Sequence, residues 1–259
     1  VPASRTSLSP TSAHHSPDAI RNALLRYSSA HSDQRVNLEK LALVDAGNIS
    51  SPDDDETKSI VELGALAKKS SLVIALGGDN SITYTAAKAT DATGLITLDA
   101  HYDLRDGVSN GSPVRRLIEA GLSGKKVVQI GIADFSNSTE YAKRAKDYGI
   151  TVIPRSQLRT KSIEEIWAAA LSVAGDKVFV DFDMDVCDRS VVPACPAAAP
   201  GGISADELRQ FAFLAGASRS VIGADITEID SAKDSEDERT VRLAALAILE
   251  MIAGFSTRS

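Results

Sequence analysis

The segment Asp99-Ala100-His101-Tyr102-Asp103 directly follows the apolar run Leu95-Ile96-Thr97-Leu98. Such a run reads as a buried strand, and acids with an imidazole at its end restrict the folds open to the chain. Side chains on a strand alternate faces, so the spacing predicts that Asp99, His101 and Asp103 point the same way. Carboxylates crowded on one face repel each other unless a cation lies between them. Asp183 and Asp185 repeat the pattern after Val178-Phe179-Val180. Two strand ends that carry ligand pairs point to a metal site built from several carboxylates and one histidine.

Around these motifs the chain alternates apolar runs with helical stretches. Strands are predicted at Leu41–Asp45, Leu72–Leu76, Gly94–Leu98, Val127–Ile132, Thr151–Pro154, Val178–Asp183 and Val221–Thr227. Helices are predicted at Pro17–Tyr27, Ser59–Lys68, Asn80–Lys88, Val114–Ala120, Ser138–Tyr148, Ser162–Val173, Ser204–Leu214 and Thr240–Ala253. Ser204 with Glu207 reads as a capping box, and Ser16-Pro17 as a cap followed by proline at the first helical position. Continuous apolar strands between helices imply a mainly parallel sheet covered on both faces. The fold class is therefore α/β, a single three-layer α/β/α domain over residues 1–259. In such sheets ligands bind beyond the carboxyl ends of the strands. Gly77–Asn80, Asp99–Asp103, Asp183–Asp185 and Thr227–Asp230 all fall there, and together they predict one site on one edge.

Composition removes several alternatives. The formal net charge of -7 argues against nucleic acid, which requires a basic face. No run of about 18 apolar residues is present, so no membrane-spanning segment is expected. The two cysteines, Cys187 and Cys195, are too few for a disulfide framework and read as buried structural thiols in a cytoplasmic protein. Val1-Pro2-Ala3-Ser4 reads as an abrupt beginning, as of a chain whose first segment is missing. The acidic stretches Asp53–Glu56 and Asp234–Glu238 lack calcium-loop spacing and read as solvated loops.

Gly77-Gly78-Asp79-Asn80-Ser81-Ile82, Asp99-Ala100-His101-Tyr102-Asp103, Asp183-Met184-Asp185, Pro200-Gly201-Gly202 and Thr227-Glu228-Ile229-Asp230 resemble, in order and spacing, the motifs of the ureohydrolase family. That family includes arginase, agmatinase, guanidinobutyrase and formimidoylglutamase, and the resemblance runs from Ser16 to Phe255. It implies an arginase-like fold and a binuclear manganese centre that activates water to attack an amidine or guanidinium carbon. Carried onto this chain, Asp99, His101, Asp103, Asp183 and Asp185 hold two Mn²⁺. Asp103 also holds the nucleophile, and Glu228 pairs with the cationic end of the substrate. The resemblance further implies a homo-oligomer, trimer or hexamer, with the apolar stretch Thr240–Ala253 contributing.

Two departures stand out. Asn80 replaces the family's histidine after Gly-Gly-Asp, and a neutral amide oxygen is a weak ligand, so the metal position beside it is expected to be weak or empty. Asn110 stands where arginases and agmatinases carry a proton-shuttling histidine. His14, His15 and His31 read as loop or surface residues, although His14 and His15 precede the first helix and could line the substrate mouth. Arg105 takes a place where arginase uses a neutral asparagine, and it offers a bidentate carboxylate clamp unless it pairs with Asp106 instead. Arg105, Asn110 and Ser112 are assigned to substrate binding. With an acidic substrate the expected reaction is hydrolysis of N-formimino-L-glutamate to L-glutamate and formamide, as in the bacterial formimidoylglutamase-like branch. The alternatives are a guanidino-acid hydrolase, agmatinase or arginase that releases urea, and a metal-deficient, non-catalytic homologue.

Overall fold

The structure, a computed structural model, describes residues 1–33 and 35–258. Six strands make one sheet: β1 (Val73–Leu76), β2 (Gly94–Leu98), β3 (Val127–Ile132), β4 (Thr151–Pro154), β5 (Val178–Asp183) and β6 (Val221–Thr227). All pairings are parallel, in the order β1-β6-β5-β2-β3-β4. The helices are α1 (Ser16–Leu24), α2 (Glu56–Ala67), α3 (Ile82–Ala89), α4 (Pro113–Glu119), α5 (Thr139–Tyr148), α6 (Ile163–Ala174), α7 (Ala205–Ala217) and α8 (Arg239–Ser256).

Every residue of β2, β3 and β5 is buried, as continuous apolar strands require when helices cover both faces. Ile96, Leu98, Val180 and Phe182 face one way and join the core formed with α1, α6, α7 and α8. Leu95, Val127 and Phe179 face the other way, against α2, α3 and α4. The result is the expected three-layer sandwich. No helix among the described residues is long and apolar enough to cross a membrane.

Local signals explain several helix starts. Ser204 and Glu207 form a reciprocal capping box on α7, and Ser162 with Glu165 does the same on α6. Asp55, in the first acidic stretch, accepts from the N–H of Lys58 and caps α2. Asp234, in the second, accepts from the N–H groups of Thr240 and Val241 at the head of α8. Ser16 corrects the sequence reading: α1 begins at Ser16 itself, and no side chain caps it. Its hydroxyl instead donates to the carbonyls of Ala13 and Ile229, tying α1 to the exit of β6.

The predicted strand Leu41–Asp45 is a second correction, because this segment is irregular and lies outside the sheet. Leu43 is 59% exposed and Val44 84%, so their apolarity finds no sheet edge to join. The apolar residues of α8, by contrast, are largely buried, with Ala244, Ala245 and Ala247 fully so in the core shared with α7 and α1.

Helices α7 and α8 cross at two glycines. A Cβ on Gly216 would fall onto the carbonyl of Met251, and one on Gly254 onto the carbonyl of Phe213. In an unobstructed helix Gly→Ala stabilises by about 1 kcal/mol. Here Gly216→Ala is expected to have the opposite sign and destabilise by about 1–3 kcal/mol, as overpacking does. Chemical denaturation of the wild type and the variant checks it, and a stabilised variant would contradict the packing described.

Candidate metal centre

Strands β1, β6, β5 and β2 are neighbours and parallel, so the four polar strand ends lie side by side on one edge. The chain runs from β2 outward to β3 and from β5 the other way to β6, which makes the β2/β5 boundary the switch point of the sheet. A crevice opens at such a boundary, where successive connections leave in opposite directions. Asp99 leaves β2 there, and Asp183 ends β5.

Strand alternation does not arrange these groups, contrary to the sequence expectation. Strand β2 ends at Leu98, and Asp103 sits in the left-handed region with φ of 52°. The cause is local. Asp99 Oδ1 accepts from the N–H of His101 at 2.6 Å, and Asp183 Oδ1 from the N–H of Asp185 at 2.9 Å. An aspartate that bonds the backbone two residues on replaces the strand ladder with a turn. The irregular segment after β2 is then pinned from β3 and from the loop that follows it. Gln129 Nε2 donates to the Tyr102 carbonyl at 2.9 Å, and Asn137 Nδ2 donates to the Ala100 carbonyl at 2.8 Å.

These turns bring Asp99, His101 and Asp185 together, with one ligand atom from each within 4.8 Å of the others. His101 Nδ1 lies 3.0 Å from Asp185 Oδ2 and 3.5 Å from Asp99 Oδ1. Burial works against a charged His101, but Asp185 and Asp99 outweigh it and push the imidazole up to about 12. Burial and then the Asp185 charge push Asp99 up to about 7. Asp185 faces the same burial, yet His101 holds it below the usual carboxylate range. Asp183 and Asp103 are driven well above that range, first by burial and then by neighbouring carboxylates.

Asp103 turns toward Asn80 rather than into the triad, and accepts from Asn80 Nδ2 at 2.7 Å. The amide oxygen of Asn80 accepts from the hydroxyls of Thr83, at 2.6 Å, and Thr227, at 3.0 Å. Glu228 stands beside this pair with φ of 64°. Its Oε1 accepts from the Asn80 N–H at 2.7 Å and from Asn110 Nδ2 at 2.9 Å. Burial lifts Glu228 to about 7 despite those donors.

Arg105 is exposed on the same rim. Its guanidinium lies 5.7 Å from the Tyr141 ring centroid, and its stem crosses Gly111. Asp106 pairs with Arg144 at 2.7 Å, so the sequence alternative of an Arg105–Asp106 pair does not form. Ser112 is fully buried, with its hydroxyl donating to the Ser109 carbonyl and accepting from the Ser109 N–H. His14 bonds Ser4 Oγ through Nδ1 at 2.9 Å, and His31 stacks on Phe213, so neither joins the triad. Cys187 and Cys195 are buried free thiols, and Gly202 packs on the backbone of Cys187 and Asp188.

Sequence reasoning did not find the layer beneath the site. Thr97, Asp181 and Asp225 are register partners across β2, β5 and β6, two residues inward from Asp99, Asp183 and Thr227. Asp225 Oδ2 lies 2.9 Å from the Thr83 hydroxyl oxygen, while both Asp181 oxygens lack a donor among the described residues. An aspartate inside an apolar run was the available signal, but only the strand register reveals that two of them meet.

The donor set suits a divalent metal such as manganese. Carboxylate oxygens and one imidazole are ligands it accepts, and Asp99 Oδ2 is buried without a hydrogen-bond donor among the described residues. A cavity of about 420 Å³ lined by Lys88, Asp91 and Gly94 lies instead at the amino-terminal end of β2, away from these groups.

Comparison with known proteins agrees with this arrangement. The curated formimidoylglutamase of Halalkalibacterium halodurans is 36% identical over 277 residues, covering 100% of this chain and 86% of the relative. The crystal structure of Bacillus subtilis formimidoylglutamase superposes with a TM-score of 0.93 at 32% identity, covering 99% of this chain and 85% of that one. Trypanosoma cruzi formiminoglutamase, solved with Mn²⁺, gives a TM-score of 0.89 at 26% identity, covering 98% of this chain and 89% of that one. The sequence profile of the Arginase family matches residues 1–254, and with the strand-end acids gathered at the switch point of this sheet, the chain belongs to that family.

Proposed function

We propose that the chain hydrolyses N-formimino-L-glutamate to L-glutamate and formamide with two Mn²⁺ per chain. The observation that carries this reading is that an anionic and a cationic recognition group are seated by one loop, residues 109–112, with Glu228 joined through Asn80 to Asp103. Glu228 offers a carboxylate to the formimino end. Arg105, without a carboxylate partner among the described residues, offers a guanidinium to the glutamate end. Two formimidoylglutamases are also 36% and 34% identical to this chain, against 28% for an agmatinase that covers 94% of it.

In this reading Asp99, His101, Asp103, Asp183 and Asp185 hold the metals. Asn80 acts at the cluster's rim by holding Asp103 through its amide N–H. Bound Mn²⁺ would supply Lewis acidity and lower the pKa of water at neutral pH. The remaining work belongs to the protein. Glu228 pins the amidine cation, and Asp103, held from one side by Asn80, presents its other oxygen to the attacking water. Ser112 shapes the loop that carries Asn110 and Gly111. A cytoplasmic homo-oligomer, trimeric or hexameric, belongs to the same reading.

The direct test incubates purified, Mn²⁺-loaded protein with N-formimino-L-glutamate, guanidinobutyrate, agmatine and arginine. Formamide and glutamate released from the first are expected. Urea from any of the others, with no formamide, would move the assignment to a guanidino hydrolase. No turnover of any of them would leave the metal-deficient reading.

Gly111 supplies a narrower prediction. A Cβ there would approach Arg105 Cδ to 2.7 Å and displace the guanidinium. Gly111→Ala is expected to raise KM for N-formimino-L-glutamate roughly tenfold, as losing part of a charge-assisted pair does, with kcat little changed. Steady-state kinetics decide it, and an unchanged KM would remove Arg105 from the substrate's carboxylate end.

A further inference from the structure

We propose that Asn110 is the positioning residue for Glu228, and that the segment Thr6–Leu8 latches it in place. This inference rests on the hydrolase reading above and deepens it. The Asn110 side chain is engaged on both sides. Its Oδ1 accepts from the Leu8 N–H at 3.0 Å, and its Nδ2 donates to Glu228 Oε1 at 2.9 Å. Its backbone N–H donates to the Thr6 carbonyl at 3.3 Å. A backbone N–H can only donate, so Leu8 dictates that the amide oxygen faces the strap and the amide nitrogen faces Glu228.

Glu228 needs such a guide. It occupies a left-handed backbone position, its own N–H is tied to the Gly78 carbonyl at 3.0 Å, and its carboxylate is buried. Asn80 N–H and Asn110 Nδ2 together saturate Oε1. That leaves Oε2 as the acceptor for an N–H of a cationic amidine. An aspartate at position 110 would keep the strap bond but set a carboxylate against Glu228. A serine would be too short to span both partners.

The neighbouring residue separates this role from a general structural one. Arg105 N–H donates to the Gly111 carbonyl at 3.0 Å, and the Arg105 stem lies on Gly111. Loop 109–112 thus seats both recognition groups, one through Asn110 and one through Gly111. Glutarate, which keeps both carboxylates but has no nitrogen to pair with Glu228, reports the Arg105 end alone.

The experiment compares wild type, Asn110→Asp and Leu8→Pro, the latter at a position 58% exposed and lacking the latch N–H. Asn110→Asp is expected to lower kcat/KM on N-formimino-L-glutamate about 100-fold, with Ki for glutarate within about twofold of wild type. Leu8→Pro is expected to show a smaller loss of about fivefold in the same pattern. If Asn110→Asp does not fold, the same two readings on Asn110→Ala decide the question. Unchanged kcat/KM, or a Ki for glutarate that rises in parallel, overturns the positioning role. A wild-type enzyme that leaves N-formimino-L-glutamate intact overturns the hydrolase reading and this role with it.

Discussion

His101 joins two strand ends that would otherwise repel. Its ring lies 3.0 Å from Asp185 and 3.5 Å from Asp99, so one imidazole offsets two buried carboxylates from β5 and β2. A buried charge with no partner costs several kcal/mol, and five acids crowd this edge. The parallel sheet makes the crowding inevitable, because all carboxyl ends emerge on one side. The same geometry makes it useful, since a metal placed there meets ligands from several strands at once.

The site is held from beneath and from both flanks. Beneath it, Asp181 and Asp225 sit in register and are themselves driven to favour the protonated form, chiefly by burial. On one flank Gln129 and Asn137 pin the segment after β2 by its backbone carbonyls. On the other, Asn80 links Asp103 to Glu228 through a side-chain bond and a backbone bond. Each contact fixes a residue or a segment that carries a group of the cluster, which is how a loop-built cluster keeps its geometry.

The fold was largely legible in the sequence because buried parallel strands are apolar without interruption. The strands from Leu72 to Thr227 needed only that signal. Leu41–Asp45 carries the same local signal and fails, since a short apolar run says nothing about whether a sheet edge is open to receive it. Ser204 capped its helix because its partner Glu207 is three residues away. Ser16 did not, because its hydroxyl is drawn to a carbonyl 213 residues distant. The acids of the site were legible as chemistry, but their geometry was not. Period-two alternation stops where Asp99 captures the N–H of His101, and the meeting of Asp181 with Asp225 depends on register between β5 and β6.

Thermal melting against pH, with and without Mn²⁺, tests most directly whether the strand-end cluster is a metal centre. Folding raises Asp99 and Glu228 from ordinary carboxylate values to about 7, and His101 from 6.5 to about 12. A raised group contributes stability that is present below its unfolded pKa and lost as pH climbs through the folded one. Chelator-stripped protein should therefore lose stability steadily from pH 6 to 8.5. Mn²⁺ requires its ligands Asp99 and His101 deprotonated, so the gain in Tm it confers should grow over that range. At a thousandfold excess over Kd the gain is about 4 kcal/mol, on the order of 10 °C for a chain of this size. A melting temperature indifferent to Mn²⁺, or a gain larger at pH 6 than at pH 8.5, would contradict the account.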